Sequence, residues 1–329
     1  MKKLRGQKTS SKPFKIITPV GTYSGEDVLE GFTADAEHLG RDRGEPDVYD
    51  NEFYRLCKLD NSFIFDFKGE DRVVIPDMTM SQLEEILSRK MKRGKSCDIY
   101  HLTVEHLQNC GPLAKLSILN RIISIIHEIY YLSCSQLKSG LGIPVHKGKN
   151  KPLNKSEMYR RITVTPLIGS ILDRYVDPQT ETIFRPTQSP DQLGFTQGIS
   201  YLMAAVQRGE CQRWAIDNKL TCFGVSLDGE AAFPSVDRAI QVRELYSAGE
   251  RGDYLQYSRN TYRNTKAQFK MDNKLSRSFE ELTGNRQGHV KAAGHFKAYI
   301  NPCLVMLNRA ELGFHIGPIP VNSVCCTWV

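Results

Sequence analysis

The longest apolar pattern in the chain runs from Pro112 to Leu137 and limits how this segment can be buried. Lys115, Arg121, His127 and Glu128 interrupt the pattern, and a bilayer-spanning helix would not tolerate that many charges. We therefore predict a buried helix with Pro112 in its first turn and no membrane span. The apolar residues recur at helical spacing on one broad face: Leu113, Leu116, Leu119, Ile122, Ile123, Ile126, Ile129 and Tyr130.

A second helical pattern precedes this one. Thr79 and Gln82 match a capping box, in which each residue's side chain bonds the other's backbone N–H. A helix is predicted to run from there towards Gly94, with residues 103–107 as a short helix after it. Residues 75–138 therefore form a predicted helical region. The preceding residues 1–74 contain few periodic runs and are predicted to be partly disordered, with short strands at 14–18 and 62–67.

The pattern changes after residue 139, where β-branched runs alternate with helical ones. This mixture predicts an α/β or α+β fold. Asp272 and Asn273 are typical of the tight turn of a hairpin. The predicted strands lie at residues 161–165, 221–227, 265–271, 276–282 and 318–324. The predicted helices lie at residues 166–175, 200–207, 234–248 and 289–312.

Charge is unevenly distributed along the 329 residues, which carry a formal net charge of +7. Residues 138–161 contain seven Lys or Arg and one acid, Glu157, and the first fifteen residues contain six Lys or Arg and no acid. Such clusters favour phosphate backbones, although they are equally typical of solvated loops. The nine cysteines show no paired or zinc-ligand spacing, and no apolar signal sequence follows the basic start. These features predict an intracellular protein of the nucleus or cytoplasm.

A carboxylate stands at the end of the apolar run 221–227. Asp228 would lie at the C-terminal end of a buried strand, where clefts form in α/β sheets. Gly229 leaves its own carbonyl uncrowded, and Phe233 can close the floor of a pocket. An aspartate at such a turn is, however, more often a helix N-cap.

Three further segments carry polar groups at turns. In residues 284–288 (GNRQG), two glycines permit close backbone approach and Arg286 can neutralise phosphate charge. Residues 158–163 place basic side chains before a strand, and residues 192–198 (QLGFTQG) form a turn with an aromatic. Each segment alone is also explained as a surface loop or a helix cap.

Taken together and in order, these segments resemble the reverse transcriptase of non-LTR (LINE-type) retrotransposons. The match covers roughly residues 75–324. It consists of 92–98 (KRGKSCD, like LK-x-GK-x-PG-D), 143–148 (IPVHKG, like IPI-x-K-x-G), 159–163 (YRRIT, like NYRPI-[ST]), 192–198 (like QFGF-x-x-G), 228–233 (DGEAAF, like D-[LF]-x-x-AF) and 284–288 (like G-x-RQG).

The resemblance implies a right-hand polymerase with an N-terminal helical extension at 75–138, fingers at 139–220 and a partial palm at 221–329. The implied partners are an RNA template, a DNA primer and dNTPs, and the implied cofactor is Mg²⁺. Asp228 would be the catalytic carboxylate and a metal ligand, and the Gly229 carbonyl would also bind metal. The residues implied to contact nucleotide or template are Phe233, Arg286, Gln287, Gly288, Lys147 and Arg160.

One departure bears on catalysis. The family's third palm motif, aromatic-Ala-Asp-Asp, is expected shortly after Val321, but no aspartate follows Asp272. The thumb is also missing from the pattern. We therefore expect a chain truncated within the palm, with polymerisation lost or nearly lost. Two alternatives stay open, namely a non-catalytic nucleic-acid-binding remnant and an unstable fragment without function.

Overall fold

A computed structural model shows a mixed helix-and-sheet protein, which confirms the expected α/β or α+β class. Its helices surround one five-stranded sheet, with small hairpins near each end of the described part. The structure describes residues 14–40, 50–66, 73–129, 135–148, 150–226, 229, 231–310 and 313–321.

Helices make up most of the regular structure. They are α1 (Val28–Leu39), α2 (Asn51–Asp66), α3 (Met80–Glu85), α4 (Val104–Asn109), α5 (Pro112–His127), α6 (Ser135–Lys138), α7 (Leu167–Phe184), α8 (Tyr201–Asp217), α9 (Arg238–Ser247), α10 (Gly252–Tyr262) and α11 (Ala292–Arg309). A π-helical turn, Ile86–Lys90, continues α3.

The central sheet joins strands that lie far apart in the sequence. Its order is β4-β3-β5-β6, with β7 also pairing β5, and β3 runs parallel to β5. The sheet thus combines segments from both sides of residue 221, the boundary between the proposed fingers and palm. The strands are β1 (Lys15–Thr18), β2 (Gly21–Ser24), β3 (Ser139–His146), β4 (Tyr159–Val164), β5 (Thr265–Met271), β6 (Lys274–Leu275), β7 (Phe279–Glu281), β8 (Phe314–Ile316) and β9 (Ile319–Val321).

Residues 14–40, which we name the N-terminal unit, form the β1–β2 hairpin and α1 and pack on the central sheet. Ile16, Val28 and Phe32 are fully buried, and the Phe32 ring lies edge-on to Tyr159 at 5.0 Å between centroids. Phe32 also approaches Phe269 of β5. Burying each such side chain contributes about 1.5–3 kcal/mol. The N-terminal unit is therefore firmly attached to the sheet.

The main helical core lies on α3, α5, α7 and α10 and includes Leu83, Ile122, Ile126 and Ile171. Asp98 fixes the start of α7 in this core. It is 1% exposed, and its carboxylate accepts the backbone N–H groups of Tyr100 and Leu102, and of Leu167 at 2.9 Å. The aspartate of the motif at 92–98 thus orders the chain locally.

Several local predictions are confirmed. Thr79 and Gln82 form the capping box, with Thr79 N–H donating to Gln82 Oε1 at 2.8 Å. Pro112 begins α5. Asp272 and Asn273 both have left-handed φ, +54° and +61°, as a two-residue hairpin turn requires.

Four predictions are wrong. The sequence predicts a strand at 62–67, but α2 continues to Asp66 because its apolar residues also fit helical spacing. Elsewhere in residues 1–74 the strand expected at 14–18 forms as β1, and partial disorder of this region stays a prediction, although the described residues 14–40 and 50–66 are ordered. Helix α5 ends at His127, before the expected Leu137, and Leu113 is 81% exposed although the pattern places it on the buried face.

The fourth error concerns the buried strand at 221–227. Residues 221–226 are irregular, and Phe223 and Val225 are 89% and 85% exposed. An apolar run becomes a strand only where a sheet edge can pair with it, and none of the strands in the described residues does so. The next helix, α9, begins at Arg238 and is capped by Asp237.

Within the parts of the chain that the structure describes, no helix has both the length and the apolar character needed to cross a membrane.

Candidate nucleic-acid interface

A cleft of about 500 Å³ lies between the N-terminal unit, the strands β3 and β4, and the turn at 284–288. Four of the residues implied to contact nucleotide or template line it, although they come from distant parts of the chain. These are Lys147, Arg160, Arg286 and Gln287. The cleft therefore brings together half of the predicted site residues, whereas Phe233, Gly288 and Gly229 are not part of its lining.

The cleft is rich in cations near the end of β3. Lys147 is exposed as a residue, yet partial burial of its side chain, reinforced by repulsion from Lys151, Arg160 and Arg161, lowers its pKa from the ordinary lysine value. Glu157 opposes this shift. Like charges held this close repel one another, and a bound polyanion would relieve the repulsion. The electrostatics thus favour a phosphate-bearing ligand.

Arg161, also in the cleft lining, already has a carboxylate partner. Its Nη2 donates to Oδ2 of Asp35 in α1, and Asp35 is 2% exposed. Arg160, its neighbour on β4, is exposed and lines the same cleft. The two arginines therefore differ, since only Arg161 is tied to the N-terminal unit by a described ion pair.

The turn at 284–288 packs against the segment that follows Gly229. The backbone N–H of Gly284 donates to Val236 O, and that of Asn285 donates to Phe233 O, both at 2.8 Å. Gly284 has φ +80°, and a Cβ there would lie 2.6 Å from Pro234 O. Only glycine permits this approach.

The same turn is also joined to β4. Thr163 N–H donates to Gln287 O at 2.7 Å, and a Cβ on Gly288, which has φ +99°, would lie 2.9 Å from Thr163 O. The turn therefore holds the residues after Gly229 on one side and the strand of Arg160 on the other. Three of the segments that resemble polymerase motifs are bonded together at this turn.

The side chains of Arg286 and Gln287 in this turn differ in their hydrogen bonding. The Arg286 guanidinium has 4% of its side chain exposed, donates from Nε to Glu281 Oε2 at 2.6 Å, and donates from Nη2 to Lys266 O at 2.8 Å. Its described contacts are thus structural, and its contact with phosphate stays a prediction. Oε1 of Gln287 is itself buried and has no hydrogen-bond partner among the described residues, although Gln287 contributes to the cleft lining.

Phe233 belongs to an aromatic cluster next to the turn. Its ring stacks on Phe296 of α11 at 4.9 Å with an interplanar angle of 14°, and Phe195 meets it edge-on at 6.0 Å. Phe195 comes from the turn at 192–198, so a fourth motif-like segment converges here. A role for Phe233 in selecting the sugar of a nucleotide stays a prediction.

The metal site cannot be built from the described residues. Asp228 lies outside the described residues. Gly229 is exposed, and a Cβ added to it would meet only the side chain of Ala232, at 3.6 Å. Among the side chains that the structure describes, no group of three or more His, Cys, Asp or Glu is arranged to hold a metal ion. The described residues therefore do not test the Mg²⁺ site, which stays a prediction.

A buried charged layer beneath the cleft was not predicted from the sequence. Asp173 of α7 accepts a hydrogen bond from Tyr257 Oη at 2.6 Å and pairs with His289 Nε2 at 3.0 Å. Burial would raise the pKa of Asp173, but the charge and hydrogen bond of His289 and the bond from Tyr257 outweigh it and lower the pKa. On the same helix Glu181 pairs with the buried Lys297 at 2.6 Å.

The signal for this layer was present in the sequence. Asp173, Asp177 and Glu181 repeat at a spacing of four and so share one face of α7. That spacing is usual for a solvated face. Here Asp173 is buried and Asp177 and Glu181 are half-buried, because Lys291 and Lys297, at 0% and 1% exposure, approach this face from the start of α11. His289 follows the turn directly, so the layer anchors the C-terminal side of the turn.

Arg238 is a second residue that sequence reasoning missed. Its guanidinium donates to four backbone carbonyls: those of Tyr262, Glu281, Thr283 and Gly284. Burial lowers its pKa to about 10, which still leaves it charged at neutral pH. It ties the start of α9 to β7 and to the turn at 284–288.

No model of a known protein family and no curated protein matches the chain.

Proposed function

We propose that this chain is a reverse-transcriptase-type fingers and partial palm unit that binds single-stranded nucleic acid, such as an RNA template, in the basic cleft. The proposal rests on the resemblance of its motifs together with the cleft, and it includes no metal-dependent step. DNA primer and dNTPs are the further ligands that the resemblance implies.

The convergence of the motif-like segments is the observation that carries the proposal. Segments with no sequence proximity meet at the turn 284–288, through backbone bonds to Phe233 and Thr163 and through the rings of Phe195 and Phe233. Chance resemblances would have no reason to gather around one cleft. The agreement between motif order and spatial convergence supports a common site.

The chemistry of the cleft supports the ligand class. Lys147, Lys155, Arg160 and Arg161 line it, and cations that replace condensed counterions on a phosphate backbone bind with strong salt dependence. Gln287 lines the same cleft, and an amide side chain suits the edge of a base or a sugar hydroxyl.

The test is a titration of the purified chain with a short fluorescein-labelled single-stranded RNA at several salt concentrations. The double variant Lys147→Ala, Arg160→Ala removes two cleft cations, and its slope of log affinity against log salt should flatten by up to about 1.4, since each phosphate contact on a single strand contributes about 0.7. The control variant Arg89→Ala, Lys90→Ala removes the same charge from an exposed turn outside the cleft lining and should leave the slope unchanged. Binding that does not depend on salt, or equal slopes in both double variants, would refute the proposal.

Primer extension on an RNA template with Mg²⁺ addresses catalysis separately. Extension that is lost in Asp228→Asn would widen the proposal to polymerisation. The alternative of an unstable fragment is addressed by urea unfolding, because a cooperative transition would argue against it.

A further inference from the structure

The N-terminal unit contributes a carboxylate to the wall of the basic cleft. Asp35 lies in α1, is 2% exposed, and lines the cleft together with Ile17, Pro19 and Leu39 of the same unit. Its Oδ2 accepts from Nη2 of Arg161, whose neighbour Arg160 and whose near neighbour Lys147 are proposed to bind phosphate. One of the cleft cations is therefore neutralised from within the protein.

Arg161 is incompletely satisfied by this contact. Its Nε is buried and has no hydrogen-bond partner among the described residues. Arginine commonly binds carboxylate or phosphate through two parallel N–H groups, and its contact with Asp35 runs from Nη2 alone. A phosphate oxygen could use the remaining donor if the side chain turned towards the cleft.

We infer that Asp35 is an internal phosphate mimic, which competes with nucleic acid for Arg161 and sets how many cations the cleft offers. The inference rests on the proposed function of the cleft. The N-terminal unit itself stays docked in this scheme, because Ile16, Val28 and Phe32 are fully buried against the sheet. Asp35 takes the place of a phosphate on Arg161 in the wild-type chain, so it determines affinity without acting as a lid.

The other ion pairs of the unit provide a matched control. Glu37 of the same helix pairs with Arg277 at 2.6 Å, and Arg277 does not line the cleft. The substitutions Asp35→Asn and Glu37→Gln each remove one negative charge from α1 and keep the side-chain volume. They differ in whether the arginine that loses a partner lies in the cleft, and Arg277 keeps Glu30 as a second partner at 2.9 Å.

The experiment compares binding of the labelled single-stranded RNA by the full chain, Asp35→Asn, Glu37→Gln and the double variant Asp35→Asn, Arg161→Gln. In Asp35→Asn one more phosphate is contacted, so the slope of log affinity against log salt should steepen by about 0.7. The ratio of its affinity for the RNA to that of the wild-type chain should accordingly be about 2.6-fold larger at about 50 mM salt than at about 200 mM. Glu37→Gln should keep the wild-type slope, and the double variant should lose the gain.

The outcomes separate the two proposals. Salt-dependent binding by the wild-type chain with equal slopes in Asp35→Asn and Glu37→Gln overturns the role of Asp35 and leaves the cleft function standing. Absence of salt-dependent binding in every variant overturns the cleft function itself.

If Asp35→Asn does not fold, the wild-type chain still supplies a test. Because Asp35 keeps Arg161 from phosphate in the wild-type chain, the Nε–Hε NMR signal of Arg161, assigned with Arg161→Lys, should stay unmoved at saturating RNA, while that of Arg160 should shift. An Arg161 signal that moves as far as that of Arg160 overturns the inference.

Discussion

Replacement of Gly284 by alanine tests the close approach on which the candidate site depends. Gly284 has φ +80°, where an alanine costs about 1–2 kcal/mol. The added Cβ would also lie 2.6 Å from Pro234 O and 2.8 Å from Pro234 Cα, which are backbone atoms that cannot rotate away. Forced repacking of this kind costs about a further 1–3 kcal/mol. We therefore expect Gly284→Ala to lower the free energy of unfolding by about 2–5 kcal/mol.

Two other glycines separate the contributions. Gly198 has nearly the same φ, +79°, but nothing lies within 4 Å of the position that a Cβ would take. Gly198→Ala should therefore cost only the conformational part, about 1–2 kcal/mol. Gly209 lies inside α8 without a left-handed φ and also has open space, so Gly209→Ala should stabilise the protein by about 0.5–1 kcal/mol.

Urea unfolding followed by far-UV circular dichroism measures all three variants. Equal m-values would show that the same surface is exposed on unfolding, so that shifts of the midpoint report stability. The variants should rank Gly209→Ala, wild type, Gly198→Ala, Gly284→Ala from most to least stable. If Gly284→Ala lost no more stability than Gly198→Ala, the turn would not pack on Pro234, and the convergence of segments at the cleft would be refuted.

Two further predictions concern the core and the buried charges. Phe32→Ala should lower the free energy of unfolding by about 3–5 kcal/mol because the ring is fully buried. As a control, Phe14→Ala should change it by less than about 0.5 kcal/mol because Phe14 is 82% exposed. Equal losses in the two variants would contradict the packing of the N-terminal unit. Burial, with repulsion from Lys291 and His289, holds the pKa of His295 in the folded protein well below its ordinary value of 6.5. Below pH 6.5, His295 therefore binds a proton in the unfolded chain but stays neutral in the folded protein. Stability should then fall as the pH drops below 6.5, by up to about 1.4 kcal/mol per pH unit from this residue, and His295→Gln should remove that part of the fall in urea unfolding measured across pH. An unchanged pH slope in the variant would show that His295 titrates normally.

Short-range structure could be predicted from the sequence because its causes are local. The capping box of Thr79 and Gln82 needs only two residues three apart, and the turn at Asp272 and Asn273 needs only residues that accept left-handed φ. The strand expected at residues 221–227 does not form over the described residues 221–226, because a strand depends on a partner that the segment itself does not specify. The apolar residues Phe223 and Val225 satisfy the local pattern and are nevertheless exposed.

The sequence indicates several residues of the candidate site but not the contacts that hold them in place. Motif order points to Lys147, Arg160 and Gln287, and these three residues line one cleft. The bond of Asp35 to Arg161 was not predictable, because nothing near Asp35 in the sequence indicates which strand α1 will cover. The role of Asp173 is hidden for a similar reason, since its partner His289 lies far along the chain, just before α11.

The parallel pairing of β3 with β5 has a consequence for how the chain acquires its structure. Ser139 pairs with Lys266, so the sheet cannot be completed until most of the chain is available, and closing so long a loop is entropically costly and slow. Phe32 packs on Tyr159 of the earlier β4 and on Phe269 of that late strand, so its site is complete only when both strands are present. During synthesis on the ribosome, Phe32 would lack its contact with Phe269 until residue 269 emerges, a period in which this side of α1 is open to chaperones and to association with other chains.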